Sequence, residues 1–198
     1  MIEYSHEDYK EKGFATVDSA LSDDELEELR WWGHTGKPHG YYKGGYWAIS
    51  RVAEDCQAYK KISERFINEI DLLKGTRWTG GWIFVYNNKC DGITPHADPA
   101  AMNVNVWITP DHCVADPDKN GLTIYNKKAP EDWSYEEYNK QVPKIRDYLK
   151  DANKEQIKYK YNRMMMFESN TFHETNGVHM KEGEWNRRMN VTFMYKPV

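Results

Sequence analysis

The sequence is short of every feature that would place it in a membrane, on nucleic acid or in a disulfide-stapled fold. Its three cysteines, Cys56, Cys90 and Cys113, are odd in number, widely spaced and form no C-x-x-C. They exclude a disulfide framework and read as free thiols in a reducing compartment. No apolar run approaches the roughly 20 residues that a membrane-spanning helix needs. The opening MIEYSHEDYK has no signal-peptide character, so a soluble, cytoplasmic protein without membrane attachment is expected. A net charge of -4 supplies no broad basic surface, and the pairs Lys60-Lys61 and Arg187-Arg188 are too small to make one, which disfavours nucleic acid as a partner. Repeats, low-complexity tracts and long linkers are missing too. A chain of 198 residues then reads as one domain, 1–198, large enough to bury a core.

What the sequence has in abundance is aromatic side chains, 8 Trp and 14 Tyr. A large apolar body with a polar tip suits a pocket that is dry near a reactive centre yet holds a polar ligand. Most of these residues nevertheless read as ordinary core or surface positions.

Helical signals come first along the chain. A short strand over Phe14 to Val17 precedes a helix with Ser22 as N-cap and Glu25 completing a capping box. Asp23, Asp24 and Glu25 suit the positive end of its dipole, and Gly33 is the expected stop. Residues 33–50 lack a helical period and read as a Gly- and aromatic-rich loop with a short strand at its end. His34 and His39 within it read as loop histidines, not ligands. A second helix is expected from Asp55 to Leu73, with Tyr59, Ile62, Phe66, Ile67 and Ile70 at helical spacing.

Strand patterns dominate afterwards. TGGWIFVYNN, NVNVWITP, GLTIYN, RMMMFES and RMNVTFMYK are short apolar or alternating runs between turn residues. A polar helical insertion, about 126–160, separates the third from the fourth, and Pro143 is expected to break or kink it. Helices followed by at least five strands predict an all-β core with flanking helices, a sandwich or jelly roll braced by the N-terminal helices.

The chemistry is concentrated between Trp82 and Thr109. His96-Ala97-Asp98 places an imidazole and a carboxylate two residues apart, on the same face of an extended segment. A third ligand for one divalent metal has to come from elsewhere. His173 is the candidate, with Glu174 and His179 as competitors that spacing alone does not separate. Two histidines and a carboxylate form the 2-His-1-carboxylate set that holds non-haem Fe(II) with coordination positions open. After Asp98, the residues Asn103, Asn105 and Trp107 share one strand face, and asparagines there imply something polar inside. On the last strand Arg188, Asn190 and Thr192 alternate with Met189, Val191 and Phe193. A buried Arg188 needs an anion, its planar fork fits a carboxylate, and no acidic residue of the chain is an obvious partner. Arg187 should point the other way, towards solvent or a surface acid.

Taken in order, Tyr86, His96-Ala97-Asp98, His173 and Arg188 resemble the Fe(II)- and 2-oxoglutarate-dependent dioxygenase superfamily. The likeness extends to Gly13-Phe14 and the capped helix after it. HADPAAMNVNVWITP, GLTIY, the Trp133 region and NRRMN are similar to small bacterial and phage-type members with the prolyl-hydroxylase-like pattern. The resemblance implies a double-stranded β-helix with Fe(II) on His96, Asp98 and His173. It also implies 2-oxoglutarate as co-substrate on Arg188 and Tyr86, with Asn105 and Asn190 as further contacts, and O2 as oxidant. The superfamily usually has Ser or Thr two residues after the arginine, and Asn190 stands there instead. Hydroxylation of an unactivated carbon, with release of succinate and CO2, is the implied reaction. Asp98 favours it over halogenation, in which a small residue replaces the carboxylate. A small molecule, a free amino acid or a protein side chain is the implied substrate. Tyr41, Tyr42, Tyr46, Trp47 and Trp133 are the candidate substrate contacts. The competing readings are a cupin-type metalloenzyme that does not use 2-oxoglutarate and a non-catalytic jelly-roll module for sugars or peptides.

Overall fold

The structure, a computed structural model, describes residues 2–38, 40–42, 44–49 and 56–198, and for Tyr41 the backbone only. His39 and the predicted helix start at Asp55 therefore lie outside the described residues. The chain opens with a helix that the hydrophobic pattern did not reveal, α1 (His6–Lys12), capped by Ser5. It buries no residue, so it has no apolar stripe to read. Strand β1 (Phe14–Asp18) leads to α2 (Asp23–Thr35), where Ser22 and Glu25 form the expected capping box. The helix runs past the predicted stop at Gly33 and ends at Thr35. Gly33 instead lies against the Met189 side chain, where a larger residue would collide. The aromatic stretch folds into two short strands, β2 (Gly40–Tyr42) and β3 (Tyr46–Ile49). Helix α3 (Gln57–Glu69) is followed by a separate 3-10 turn at Asp71–Leu73, so the predicted helix is divided near Ile70.

The strands then follow: β4 (Thr76–Tyr86), β5 (Lys89–Cys90), β6 (Met102–Trp107) and β7 (Leu122–Lys128). Two short helices come next, α4 (Tyr135–Asn139) and α5 (Val142–Tyr148), and then β8 (Lys154–Ile157). The insertion is broken just before Pro143, between α4 and α5, and Pro143 kinks neither helix. It occupies the first turn of α5, where its missing N–H costs nothing. The predicted insertion is also less separate than expected, because its first residues complete β7 and its last part is β8. Three of the four β8 residues are exposed, so this edge strand carries no alternation to read. The chain closes with β9 (Arg163–Glu168), β10 (Thr171–Thr175), β11 (Val178–His179) and β12 (Met189–Pro197).

Among the described residues, all strand pairs are antiparallel. A seven-stranded sheet has the order β1-β9-β6-β12-β4-β3-β2, a three-stranded sheet the order β10-β7-β8, and β11 pairs with β5. Helices α2 and α3 pack on the outer face of the large sheet. There Leu26, Leu29, Tyr59, Ile62 and Phe66 meet Ile83, Val85, Val104, Val191 and Phe193 in the main core. Each such side chain contributes roughly 1.5–3 kcal/mol by leaving water. A second cluster, with Trp107, Leu122, Ile124, Met165 and Phe167, fills the space between the two sheets. Strand β9 serves both layers, since Met164 and Met166 face the helices while Met165 and Phe167 face inward. That double burial explains its unbroken apolar run. At Gly81, with φ 154°, an added Cβ would collide with the Thr192 carbonyl and the Tyr59 hydroxyl. The Tyr59 hydroxyl donates to that same carbonyl at 2.6 Å, tying α3 to the sheet.

Candidate active site

The metal-binding candidates meet through a strand pairing that the sequence pattern does not announce. His96 and His173 are bridge partners that exchange both backbone hydrogen bonds, at 3.0 and 2.9 Å. The segment after Gly92 thus runs beside β10, and the Thr175 N–H bonds the Ile93 carbonyl at 3.0 Å. Gly92, at φ 83°, makes the close approach possible, because a Cβ there would strike the carbonyls of Thr175 and Asn176. The imidazole centroids lie 4.4 Å apart. Asp98 completes the cluster, with its carboxylate 3.7 Å from His96 Nε2 and 3.5 Å from His173 Nε2.

Hydrogen bonds fix how these donors face. Each histidine places Nδ1 2.9 Å from a backbone carbonyl, Thr94 for His96 and Thr171 for His173. Nδ1 therefore carries the proton, and the Nε2 lone pairs are left for the cluster. The Asn103 amide donates to Asp98 Oδ2 at 2.5 Å, and the Ser169 hydroxyl donates to Asn103 Oδ1 at 2.8 Å. Burial, then the neighbouring His96, push the His173 imidazole well below its ordinary pKa, and Asp98 opposes them only in part. A neutral imidazole at His173 is the protonation state that metal binding requires. Among the described residues, His96, Asp98 and His173 are the group of His, Cys, Asp and Glu side chains close enough to share an ion. The donor set fits a divalent transition metal. The competing ligands are turned elsewhere, since Glu174 accepts from the Tyr125 hydroxyl at 2.6 Å and His179 faces Asp116 at 3.8 Å.

Arg188 lies on the wall of the same cavity, which has a volume of about 750 Å³. It is 1% exposed, immediately before β12. Its Nε donates to the Asn120 carbonyl and one terminal nitrogen to Asn190 Oδ1, both at 2.9 Å. The guanidinium carbon stands 4.5 Å from the Tyr86 ring centre, 5.8 Å from Trp107 and 5.9 Å from Tyr159. All of these neighbours are neutral, and among the described residues no carboxylate pairs with it. Arg187 points away, pairing with the surface acid Glu184 at 3.2 Å and stacking over Trp47 at 5.0 Å.

The remaining candidates divide by strand face. Asn105 and Trp107 line the cavity with Asn190 and Thr192, and Asn105 Oδ1 is buried without a partner. Tyr86 is fully buried, with its hydroxyl 3.4 Å from Thr175 Oγ1. Burial raises its pKa more than Arg188 lowers it, so the phenol keeps its proton. Tyr42 and Tyr46 line the cavity, whereas Trp47 belongs to the opposite face with the helix-side core. Trp133 is not on the cavity wall. It packs with Tyr148 and Phe172, and α4 with its C-cap residue supplies Tyr135, Asn139 and Lys140 to the rim in its place. Asn139 also anchors the H-x-D segment by donating to the Ala97 carbonyl at 2.8 Å. Sequence reasoning missed Ser169, Tyr159 and the Asn120 carbonyl. Only Ser169, a hydroxyl closing a buried strand, carried a signal.

No protein-family model matches the sequence, and no curated protein does either. Solved structures do match, at low identity. SnoN, a non-haem α-ketoglutarate-dependent epimerase from nogalamycin biosynthesis, is similar with TM-score 0.72 and 12% identity over 96% of this chain and 80% of its own. HygX from Streptomyces hygroscopicus, solved with nickel and 2-oxoglutarate bound, gives 0.69 and 8% over 96% and 85%. A prolyl hydroxylase from Trichoplax adhaerens, in complex with a hypoxia-inducible-factor peptide fragment, gives 0.60 and 14% over 96% and 86%. No described helix is long and apolar enough to cross a membrane. With its antiparallel sheets, flanking helices and clustered His96, Asp98 and His173, the chain has the double-stranded β-helix fold of the Fe(II)- and 2-oxoglutarate-dependent oxygenases.

Proposed function

We propose that this chain is an Fe(II)- and 2-oxoglutarate-dependent oxygenase that hydroxylates an unactivated carbon of a small molecule or an amino-acid side chain. One observation carries the reading: a single cavity holds both the His–Asp–His cluster and a buried arginine that, among the described residues, has no carboxylate of its own. A cupin-type enzyme has no use for that arginine, and a sugar- or peptide-binding module has no use for the cluster.

His96, Asp98 and His173 would hold the metal. Fe(II) with 2-oxoglutarate and O2 supplies the oxidation of a C–H bond to C–OH, coupled to conversion of 2-oxoglutarate into succinate and CO2. The side chains of the protein bind, orient and exclude water. Arg188 takes the far carboxylate of 2-oxoglutarate through its planar fork. Asn190 and the Asn120 carbonyl hold that fork in plane, which gives Asn190 an orienting role in addition to its place on the wall. The Tyr86 phenol donates a hydrogen bond to the co-substrate, and Asn105 lines the same wall from the neighbouring strand. Trp107 and Tyr159 shield the guanidinium from water, which strengthens its attraction for an anion. SnoN being an epimerase and the Trichoplax enzyme a prolyl hydroxylase, one scaffold serves different oxidative outcomes. Asp98 favours hydroxylation over halogenation, in which a small residue replaces the carboxylate.

The test is anaerobic addition of 2-oxoglutarate to the Fe(II)-loaded protein, followed by assay of succinate release on admitting air. A weak visible charge-transfer band and succinate formation are expected, both lost in His96→Ala. Iron binding without the band, and without succinate, would favour the cupin-type reading.

A further inference from the structure

The large sheet extends further than the small one. Strands β7 and β8 cover the inner face on the β9 and β6 side, while β4, β3 and β2 continue beyond them and are met there only in part, where Tyr46 and Phe84 pack against the cluster of Tyr86, Val178 and Met180. The inward positions of this extension are Tyr42, Tyr46, Ala48, Trp82 and Phe84, four aromatic rings and one alanine. The opposite face of the same strands is closed by the helices, and Ile49, Ile83 and Val85 there are 3%, 0% and 1% exposed. On the cavity side Tyr46, Trp82 and Phe84 are only half-buried, and Tyr42 is exposed. An aromatic wall left half-exposed inside a cavity is a surface built for contact.

The rings already form an ordered platform. Tyr42 and Tyr46 stack at 4.8 Å and 11°. Phe84 meets Tyr46 at 72° and Trp82 at 74°, each edge to face. Ala48 is register-paired with Phe84, so directly opposite the Phe84 ring β3 presents only a methyl group, with the Tyr46 ring to one side. Charge restricts what can lie there. Among the described lining residues the carboxylate is Asp98, which belongs to the metal cluster. The cations are Arg188, assigned to the co-substrate, and Lys140, whose ammonium pairs with Glu136 at 2.8 Å. With a dication and a doubly negative co-substrate in place, the charges of the cluster and Arg188 cancel. Among the described lining residues, a substrate ammonium finds no further carboxylate, and a substrate anion finds only Lys140 at the rim, already paired with Glu136.

We propose that the substrate is an uncharged small molecule with a flat aromatic or conjugated ring system, which lies against the β2–β3–β4 wall with Phe84 at its centre. Planar faces stack on such rings with little loss of internal freedom. The proposal rests on the oxygenase reading only for the metal and co-substrate that fill the rest of the cavity.

The test measures three bindings separately on the full chain: Mn(II) alone, 2-oxoglutarate in the presence of Mn(II), and an organic probe added to the loaded protein. The probes are flavone as a flat neutral ring, hygromycin B as a polycation, and a proline-containing decapeptide. Binding is read by tryptophan fluorescence quenching and by saturation-transfer NMR. Flavone is expected to bind at least tenfold tighter than either other probe. Phe84→Leu, which keeps apolar bulk but removes the flat face, should weaken flavone at least tenfold. Mn(II) and 2-oxoglutarate binding should remain in that variant, which shows it folded. Tighter binding of hygromycin B would mean that attraction of cations to the ring faces decides, and would overturn the proposal. Tighter binding of the peptide, or a Phe84→Leu protein that holds flavone as well as the parent, would overturn it equally. Flavone binding in a protein that takes up neither Mn(II) nor 2-oxoglutarate would support the aromatic wall while sinking the oxygenase reading.

Discussion

Arg188 offers the sharpest quantitative test of co-substrate binding. In the structure its charge is held by two neutral oxygens and three aromatic rings, and no carboxylate of the described chain neutralises it. A dianion arriving in the cavity gains that buried partner. Truncating one side of such a pair typically costs about 2–5 kcal/mol, roughly 30-fold to several thousand-fold in affinity. The effect can be read as a thermal shift. A ligand at about 100 times its Kd stabilises the folded state by about 2.7 kcal/mol, which for a domain of this size raises Tm by about 5–11 °C. If Arg188→Ala weakens 2-oxoglutarate about 100-fold, the same concentration gives only about 0.4 kcal/mol, a shift of about 1–2 °C. The assay is differential scanning fluorimetry with Mn(II), with and without 2-oxoglutarate, and the readout is the difference between the two. Any loss of stability from the substitution itself cancels in that difference. Arg188→Lys should recover part of the shift, since an ammonium supplies charge without the planar fork. Arg187→Ala, whose partners are Glu184 and Trp47, should keep all of it. A full 2-oxoglutarate shift in Arg188→Ala would refute the assignment. Its loss in Arg187→Ala instead would mean that the two residues exchange faces in solution.

Other expectations follow from the same geometry. Replacing Asn103 with leucine removes the hydrogen bond to Asp98 Oδ2, and Mn(II) affinity by calorimetry should fall roughly 10–100-fold, whereas His179→Ala should leave it unchanged. Gly81→Ala forces a methyl group against the Thr192 carbonyl and the Tyr59 hydroxyl, and should cost about 1–3 kcal/mol or more in urea denaturation. The His34 imidazole is pushed down to about 4, by burial first and by Arg30 next, with Glu184 opposing. Folding thus favours its neutral form: the unfolded chain takes up the proton first, and stability falls as pH drops from about 6.5 towards 4. Denaturation midpoints for His34→Gln should show a shallower decline over that window, and an unchanged decline would place its origin elsewhere.

Much of the architecture was legible because its signals are local. The capping box at Ser22 and Glu25 needs only four consecutive residues, and the alternation in NVNVWITP put Asn103, Asn105 and Trp107 on one face, as the cavity wall and the Asp98 hydrogen bond require. The alternation at Arg187 and Arg188 likewise separated a surface arginine from a buried one, because strand geometry sends neighbours to opposite sides. Helix α1 and strand β8 escaped notice for the converse reason, since neither buries enough apolar surface to imprint a period.

By itself, then, the sequence determined which residue types share a face: an imidazole and a carboxylate in one extended segment, and an arginine with Asn190 and Thr192 on the last strand. It left three candidates for the distal ligand, because His173, Glu174 and His179 differ by distances along the chain that say nothing of distances in space. Tertiary structure decided among them by pairing the H-x-D segment with β10, so that His96 and His173 exchange backbone hydrogen bonds while Glu174 and His179 turn to Tyr125 and Asp116. It also moved Trp133 off the cavity wall and brought Tyr135, Asn139 and Lys140 to the rim, and it surrounded Arg188 with Trp107 and Tyr159 from strands and loops far apart in sequence. These are outcomes of long-range antiparallel pairing, whose register depends on which faces are buried against which, a property of the packed sheets that no short window of residues contains.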